Sequence, residues 1–566
     1  MNDIKKLFNK RVFLYAFLIW VNLNISGIQN IYFSEGKMST IIIIKIIHLI
    51  FLYFLFLKIN SLYANRKVPK VKNEIIISLI YCLILTVLLL LVWPGTWSSD
   101  DISVLKNTGS YNLTPWQHFF SGLFQILCLQ TIPIPSGVII VQIIIASLIV
   151  GYSISNISAL YGKNKKQIRV IQIVLGLITL LPPLVMYILS GFRMGIYSYL
   201  ELLLITKMIV LYKEQRKATS CELLEISIYT IIISCWRTEA IYYPIFIVIL
   251  FYILGNKVIR RKTATILFFV IMIINFSIGK VNNLMIQGKI NYLDYRTMRP
   301  NTYNNPIMKS NNYSLTATME PVSTLVKISD ESDKEEIDTI NKVIDVEYIL
   351  ENPEYSGEKY FWTEEVVRDY SEEEYNNYLK AYLKLALKYP GVTFKSMWNI
   401  FYNAGSGMGK DSIQTTRNMV SSGDTLKLFD ISHGSCWRWN ALNSKVAKYK
   451  APIDLEVRNA VICFLNGSDA DNYINIIHNI FWNFFIPFAL ILICLVYKLV
   501  KKDWFMVFLI LTVITRIPLV FATASAPYFM YYLSAYLCTY IISTIVIFEG
   551  IINFKNKRRL LCERNS

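Results

Sequence analysis

The chain has 566 residues, 54% of them hydrophobic, and its mean hydropathy of +0.41 is carried by repeated, near-uninterrupted apolar runs. That pattern excludes an ordinary water-soluble globular protein and specifies a polytopic helical membrane protein, because a backbone exposed to lipid must satisfy its own hydrogen bonds. The formal net charge is +18, yet residues 282–478 hold 21 Lys and Arg against 26 Asp and Glu, so the basic excess belongs to short connections and termini. There it orients spans by the positive-inside rule, and nucleic-acid binding has no support.

In chain order, Lys5, Lys6, Lys10 and Arg11 precede an apolar run without a small-residue cleavage site, which reads as a retained anchor. Spans are expected near 12–32, 39–57, 74–93, 138–159, 170–189, 195–212, 221–236, 240–255, 263–281, 479–500, 504–521 and 528–548. Basic clusters at the N-terminus and at 58–72, 163–169, 213–217, 257–262, 501–502 and 555–559 mark cytoplasmic connections. Twelve crossings place both termini in the cytoplasm. The run 119–132 is short for a span, and crossing there would turn the basic loop at Lys163 outward. It is therefore expected to be a juxtamembrane helix in the first large outer loop, 94–137.

The expected architecture is an all-α polytopic membrane protein in three parts. Residues 1–281 form an N-terminal membrane domain, 282–478 an extracytoplasmic, mainly α domain, and 479–566 three final spans with a basic tail. Within the polar part, 372–389 has helical spacing of Tyr375, Tyr378, Leu379, Tyr382, Leu383 and Ala386. The acidic stretch 330–338 reads as a solvated helix or loop, and the glycines from 405 to 409 read as a loop. Cys436 and Cys463 alone lie in this part, as a disulfide or as two thiols. The four histidines and nine cysteines show no zinc-ligand spacing.

The residues that suggest chemistry lie at one expected membrane face. Asp100 and Asp101 follow the span 74–93 in the text Trp93-Pro-Gly-Thr-Trp97-Ser-Ser-Asp-Asp, and Trp116-Gln117-His118 closes the same loop. Trp97, Trp116 and His118 are candidates for an acceptor-binding loop. Arg193, Arg237 and Arg516 are all expected toward the outer face, where arginine is disfavoured and needs a reason. Planar guanidinium groups suit bidentate phosphate binding, so the three form a candidate lipid-phosphate site. A carboxylate facing them would serve as a general base, or the Asp pair would hold Mg²⁺ or Mn²⁺ through oxygen ligands.

This arrangement resembles the GT-C superfamily of membrane glycosyltransferases, in particular its poorly characterised bacterial members. The likeness rests on Pro94-Gly-Thr-Trp97-Ser-Ser-Asp100 followed by Trp116-Gln117-His118, and on Trp236-Arg237-Thr-Glu239 at the end of a later helix. It implies a polyprenyl-phosphate-linked sugar as donor, a cell-envelope glycan or protein as acceptor, and reaction on the extracytoplasmic face of the cell membrane. In that register Asp100 aligns with the family aspartate and Asp101 is the alternative one residue on. The chain departs from the family at Arg193-Met194, where an acidic pair is usual, at Phe119 in place of proline, and at Tyr528–Tyr531 in place of an Arg-Tyr pair. Two other classes fit the general pattern: an O-antigen-type polymerase or ligase, and a flippase for lipid-linked sugars, although no internal repeat is visible.

Overall fold

The computed structural model describes residues 9–33, 36–97, 99–114, 117–286, 315–363, 366–406, 453–466, 476–524 and 526–565. Regular structure among them is helical throughout, and extended pairing is confined to isolated bridges, Thr96 with Ser190 and Ile344 with Val367. The helices run α1 Lys10–Ile25, α2 Met38–Ala64, α3 Pro69–Leu91, α4 Ser99–Thr108, α5 Phe119–Thr131, α6 Pro135–Tyr161, α7 Lys165–Thr179 and α8 Pro182–Ile188. They continue with α9 Met194–Glu214, α10 Ser220–Trp236, α11 Tyr243–Leu254, α12 Arg261–Ile286, α13 Thr316–Ile328, α14 Lys334–Asn341, α15 Val346–Glu351 and α16 Gly357–Trp362. The last are α17 Glu372–Lys388, α18 Pro390–Ser406, α19 Leu455–Asn466, α20 Ile476–Phe481, α21 Phe485–Val500, α22 Trp504–Ile514, α23 Arg516–Thr523 and α24 Leu533–Asn565.

Among the described residues nine helices are long and apolar enough to cross a membrane, which makes this a multi-pass membrane protein. A tenth crossing exists if α7 and α8, bent by 62°, form one span. The bend has a local cause, since Pro182 and Pro183 restrict the residues before them and cannot donate back to the preceding turn. Two of the twelve expected spans form shorter helices, α1 with 16 residues and α10 with 17. At 1.5 Å per residue these reach about 24–26 Å, less than the roughly 30 Å of a hydrocarbon core. The short run after Phe119 forms the 13-residue helix α5.

The chain divides into two compact units, Met1–Ile278 with Ile413–Ile514 and Tyr532–Ser566, and Gly279–Ser412 with Thr515–Tyr531. In the first unit the centre is α6 and α9, whose apolar windows are 72% and 89% buried, against 17% for α2 and 11% for α12. Small residues allow this density. Gly151 of α6 lies so near α3 that a β-carbon there would stand 2.0 Å from Ser78 Oγ and 2.6 Å from the Glu74 carbonyl. Polar side chains then join helices where water is absent. Tyr81 shares a 2.6 Å hydrogen bond with Tyr199, Thr206 pairs with Ser153 at 3.1 Å, and the Tyr243 hydroxyl donates to buried Glu201. His48 of α2 meets Thr131 at 3.1 Å. Lys498 is held between Asp503 at 2.8 Å and Glu549 at 2.7 Å.

The second unit has its own apolar core, with Leu315, Val322, Leu325, Ile340, Ile349 and Tyr360 fully buried. Helix α17 starts on a capping box, Ser371 with Glu374, so the helical spacing read from 372–389 is realised with a defined start. The acidic stretch 330–338 is not simply solvated, contrary to the sequence reading. Asp333 and Glu336 are buried there, against Lys388 and Lys384 respectively. Gly405, expected in a loop, lies in the last turn of α18, which ends at Ser406; residues 407–409 lie outside the described set, as does Cys436 of the expected cysteine pair.

Candidate functional site

In the first unit, the loop after α3 is built into the turn between α8 and α9. The backbone N–H of Thr96 donates to Leu189 O at 2.9 Å, and its hydroxyl to Met186 O at 3.2 Å. Gln142 of α6 donates to both Ile188 O and Ser190 O, at 2.9 and 3.0 Å, and Gln125 of α5 to Gly191 O at 3.1 Å. The last carbonyls of a helix have no partner within it, and here three segments supply donors. Trp97 packs on Gly191, is 5% exposed, and donates its indole N–H to Pro94 O at 3.3 Å. Its place in the structure is thus inside the loop.

Arg458 of α19 closes the other side. Its guanidinium donates to Val92 O at 3.3 Å and Gly95 O at 3.0 Å, and the residue is buried. A cation just past the C-terminus of α3 also interacts favourably with the helix dipole. From α20 and the residues after it, His478 stacks on Trp482 at 5.8 Å between ring centres, and Trp482 meets Tyr187 at 6.3 Å.

The carboxylate that the structure places in this assembly is Asp101, in the first turn of α4 and 1% exposed. The side chain of Asp100 lies outside the described residues, as does Trp116. Asp101 and Arg237 both act electrostatically on the hydroxyl of Tyr187, the aromatic on α8. Arg237 itself is paired with Glu239, Nε to Oε2 at 3.0 Å, with the two side chains 7% and 10% exposed. It is positioned by Trp236, whose indole N–H donates to Ser121 at 2.9 Å among the rings of Phe120, Phe124 and Tyr197.

Arg193 donates to the Gln117 carbonyl and adds its charge beside His118. His118 caps α5, its Nδ1 accepting from Phe120 N at 3.3 Å, with φ at +67° and ψ at 133°. Among the described residues five non-glycines have positive φ, and three of them, Tyr111, Thr114 and His118, lie in this loop. Such conformations persist where surrounding contacts over-determine them, and they concentrate at ligand and active sites. Burial, then the Arg193 charge, lowers the His118 pKa to about 3. The ring is therefore neutral at physiological pH, and its buried Nε2 has no hydrogen-bond partner among the described residues.

Asp101, Arg193, Arg237, Trp97 and His118 thus belong to one unit. Arg516, the third expected arginine, is the buried first residue of α23 in the second unit. Among the described residues no three His, Cys, Asp or Glu side chains group as metal donors, and the Asp100 half of an expected Mg²⁺ or Mn²⁺ pair lies outside them. Sequence reasoning missed Tyr187, Arg458 and the two glutamines. A signal existed for Arg458, a lone cation in 457–465, where Asn459 is the one other strongly polar residue. Comparison of the chain with known protein families, with curated proteins and with solved structures finds no match.

Proposed function

We propose that this protein is an integral membrane glycosyltransferase of GT-C type, transferring a sugar from a polyprenyl-phosphate carrier to a cell-envelope acceptor on the extracytoplasmic face. The observation that carries this reading is a buried carboxylate, Asp101, in the same compact unit as the enclosed Arg237–Glu239 pair, from segments more than a hundred residues apart in sequence. In the reaction a carboxylate takes the proton of an acceptor hydroxyl as that oxygen bonds to the anomeric carbon. The bond from that carbon to the phosphate oxygen breaks, and the polyprenyl phosphate leaves with the bonding pair. A base and a cation are the two groups such a step requires. Asp101 is the base in this reading, and Arg237 with Arg193 receives the phosphate charge; Glu239 holds Arg237 in orientation when no phosphate is bound.

The test is turnover of a radiolabelled polyprenyl-phosphate sugar by the full chain in nanodiscs, read as release of polyprenyl phosphate. Asp101→Asn abolishes release while the protein still inserts and keeps its thermal midpoint. Undiminished release by Asp101→Asn, and by Asp100→Asn in parallel, would overturn the assignment. The two arginines also favour a second reading, a lipid-linked glycan polymerase or ligase, in which Arg193→Gln and Arg237→Gln lose activity and both aspartate variants keep it. A flippase would move the labelled lipid across vesicles without transferring its sugar.

A further inference from the structure

A second candidate site lies in the first unit, away from every residue used above. An open, apolar cleft of about 500 Å³ runs between α11, α12 and α22. Ile245, Val248, Ile249, Tyr252 and Phe508 line it, and Arg261 stands at the end where α11 passes into α12. Its volume is in the range that binds small ligands. The floor is cross-linked by hydrogen bonds. The Thr265 hydroxyl donates to Arg261 O at 3.0 Å, which leaves its oxygen to accept from Tyr252, 2.5 Å away.

Along the segment itself the charge has one sign, and Glu214 and Glu222 of the loop bonded to it through Ala218 and Val258 are already paired with Arg216. Lys257, Arg260, Arg261 and Lys262 are all exposed, and residues 240–286 contain no Asp or Glu. The acidic residue nearest in sequence to the α22 wall, Asp503, is already held by Lys498 at 2.8 Å and by the hydroxyl of Tyr212 at 2.9 Å. All three helices that flank the cleft belong to segments apolar enough to cross a membrane, so its walls meet lipid chains and its basic end meets headgroups.

We propose that this cleft is a binding site for an anionic phospholipid of the bilayer, with one acyl chain along Ile245–Tyr252 and Phe508 and the phosphate against Arg261 and its neighbours. Apolar surface retains the chain, and four exposed cations select the headgroup. The site is independent of the glycosyltransferase reading, because no residue is shared.

The experiment is native mass spectrometry of the full chain in detergent, titrated with phosphatidylglycerol or phosphatidylcholine of identical chains. Wild type retains phosphatidylglycerol at least tenfold more tightly. Arg260→Gln/Arg261→Gln, at exposed positions, brings the two lipids together, each lost cation weakening phosphatidylglycerol by about fivefold. Ile249→Trp, which fills the cleft, weakens both lipids while leaving the thermal midpoint in place. Equal retention of both lipids by wild type, or an unchanged preference in the double variant, overturns the proposal. So does displacement of the lipid by millimolar glycerol phosphate, which would show that the headgroup alone is bound.

Discussion

Trp97 and Gly191 touch across two segments with no room for a β-carbon: one built on Gly191 would lie 2.2 Å from Cζ3 of the indole. The first loop and the α8–α9 turn are therefore set against each other by a missing side chain, at the point where Thr96 also bridges to Ser190. Gly191→Ala must move Trp97 or the turn, at an overpacking cost of about 1–3 kcal/mol. Its expected signature is loss of lipid-sugar turnover with only a modest fall in thermal midpoint, although no charged group has been changed. Double substitution with Trp97→Phe, a smaller ring, recovers part of the loss.

The Arg237–Glu239 pair is predicted to be asymmetric. Both side chains are almost completely enclosed, so removal of one takes the nearest opposite charge from a buried ion. Glu239→Gln destabilises the protein by about 3 kcal/mol. Replacing both residues together, Arg237→Met with Glu239→Gln, costs less than that single change. Chemical denaturation in a fixed detergent measures both. Equal losses for the single and double variants would show that the pair is not coupled.

His118 makes stability depend on pH in a definite direction. Its pKa is lowered from the ordinary 6.5 to about 3, so between these values the unfolded chain binds a proton that the folded chain does not. Stability supplied by the neutral ring is present above about pH 6.5 and is lost as pH falls toward 3. His118→Asn, which keeps a side-chain acceptor for Phe120 N, flattens the decline of the thermal midpoint between pH 6.5 and 4.5. An unchanged slope would assign that decline to other groups.

The second unit carries an acid-sensitive contact of the opposite chemical type. Burial opposes the charge on Asp333, but hydrogen bonds from Lys388 and Tyr389 and from the Asp330 backbone outweigh it and hold the carboxyl below its usual range. The lowered pKa means that this stabilisation is full above about pH 4 and disappears as pH falls through the folded value. Asp333→Asn removes that contribution at neutral pH and leaves the variant less sensitive to acid below about pH 4. Hydrogen exchange over 330–341 and 385–389 reads the effect locally.

Packing of α3 on α6 offers a test independent of any function. Gly151→Leu places several carbons where Ser78 Oγ and the Glu74 carbonyl already stand, and the helices must separate. The expected loss is larger than for Leu at Gly176, where a β-carbon would meet nothing within 4 Å. Thermal unfolding of the two variants in one detergent makes the comparison.

Much of the helical inventory was legible in one dimension because each membrane-crossing helix satisfies its own backbone hydrogen bonds and needs only a long apolar run. Helix α5 was readable as a short element because 13 apolar-rich residues between His118 and Ile132 cannot cross a bilayer. The candidate cations stood out for the same reason, since Arg237 adjoins an apolar helix and a charge there is costly without a partner. Glu239 was readable as that partner from its spacing. The burial of Asp333 was not, because its charge is matched by Lys388 and Tyr389, 55 and 56 residues further on.

Composition and periodicity alone determined that this is a multi-pass α-helical membrane protein with a separate polar segment, since both follow from local transfer free energies summed along the chain. Which side chains meet was decided only by the tertiary structure. Asp101 and Arg237 come within electrostatic range of Tyr187 because Gln142, Gln125 and Thr96 tie the α8–α9 turn to the first loop, and because Trp236 seats α10 on α5. Those bonds join residues 46 to 115 positions apart, and their geometry depends on helix packing that no local pattern encodes.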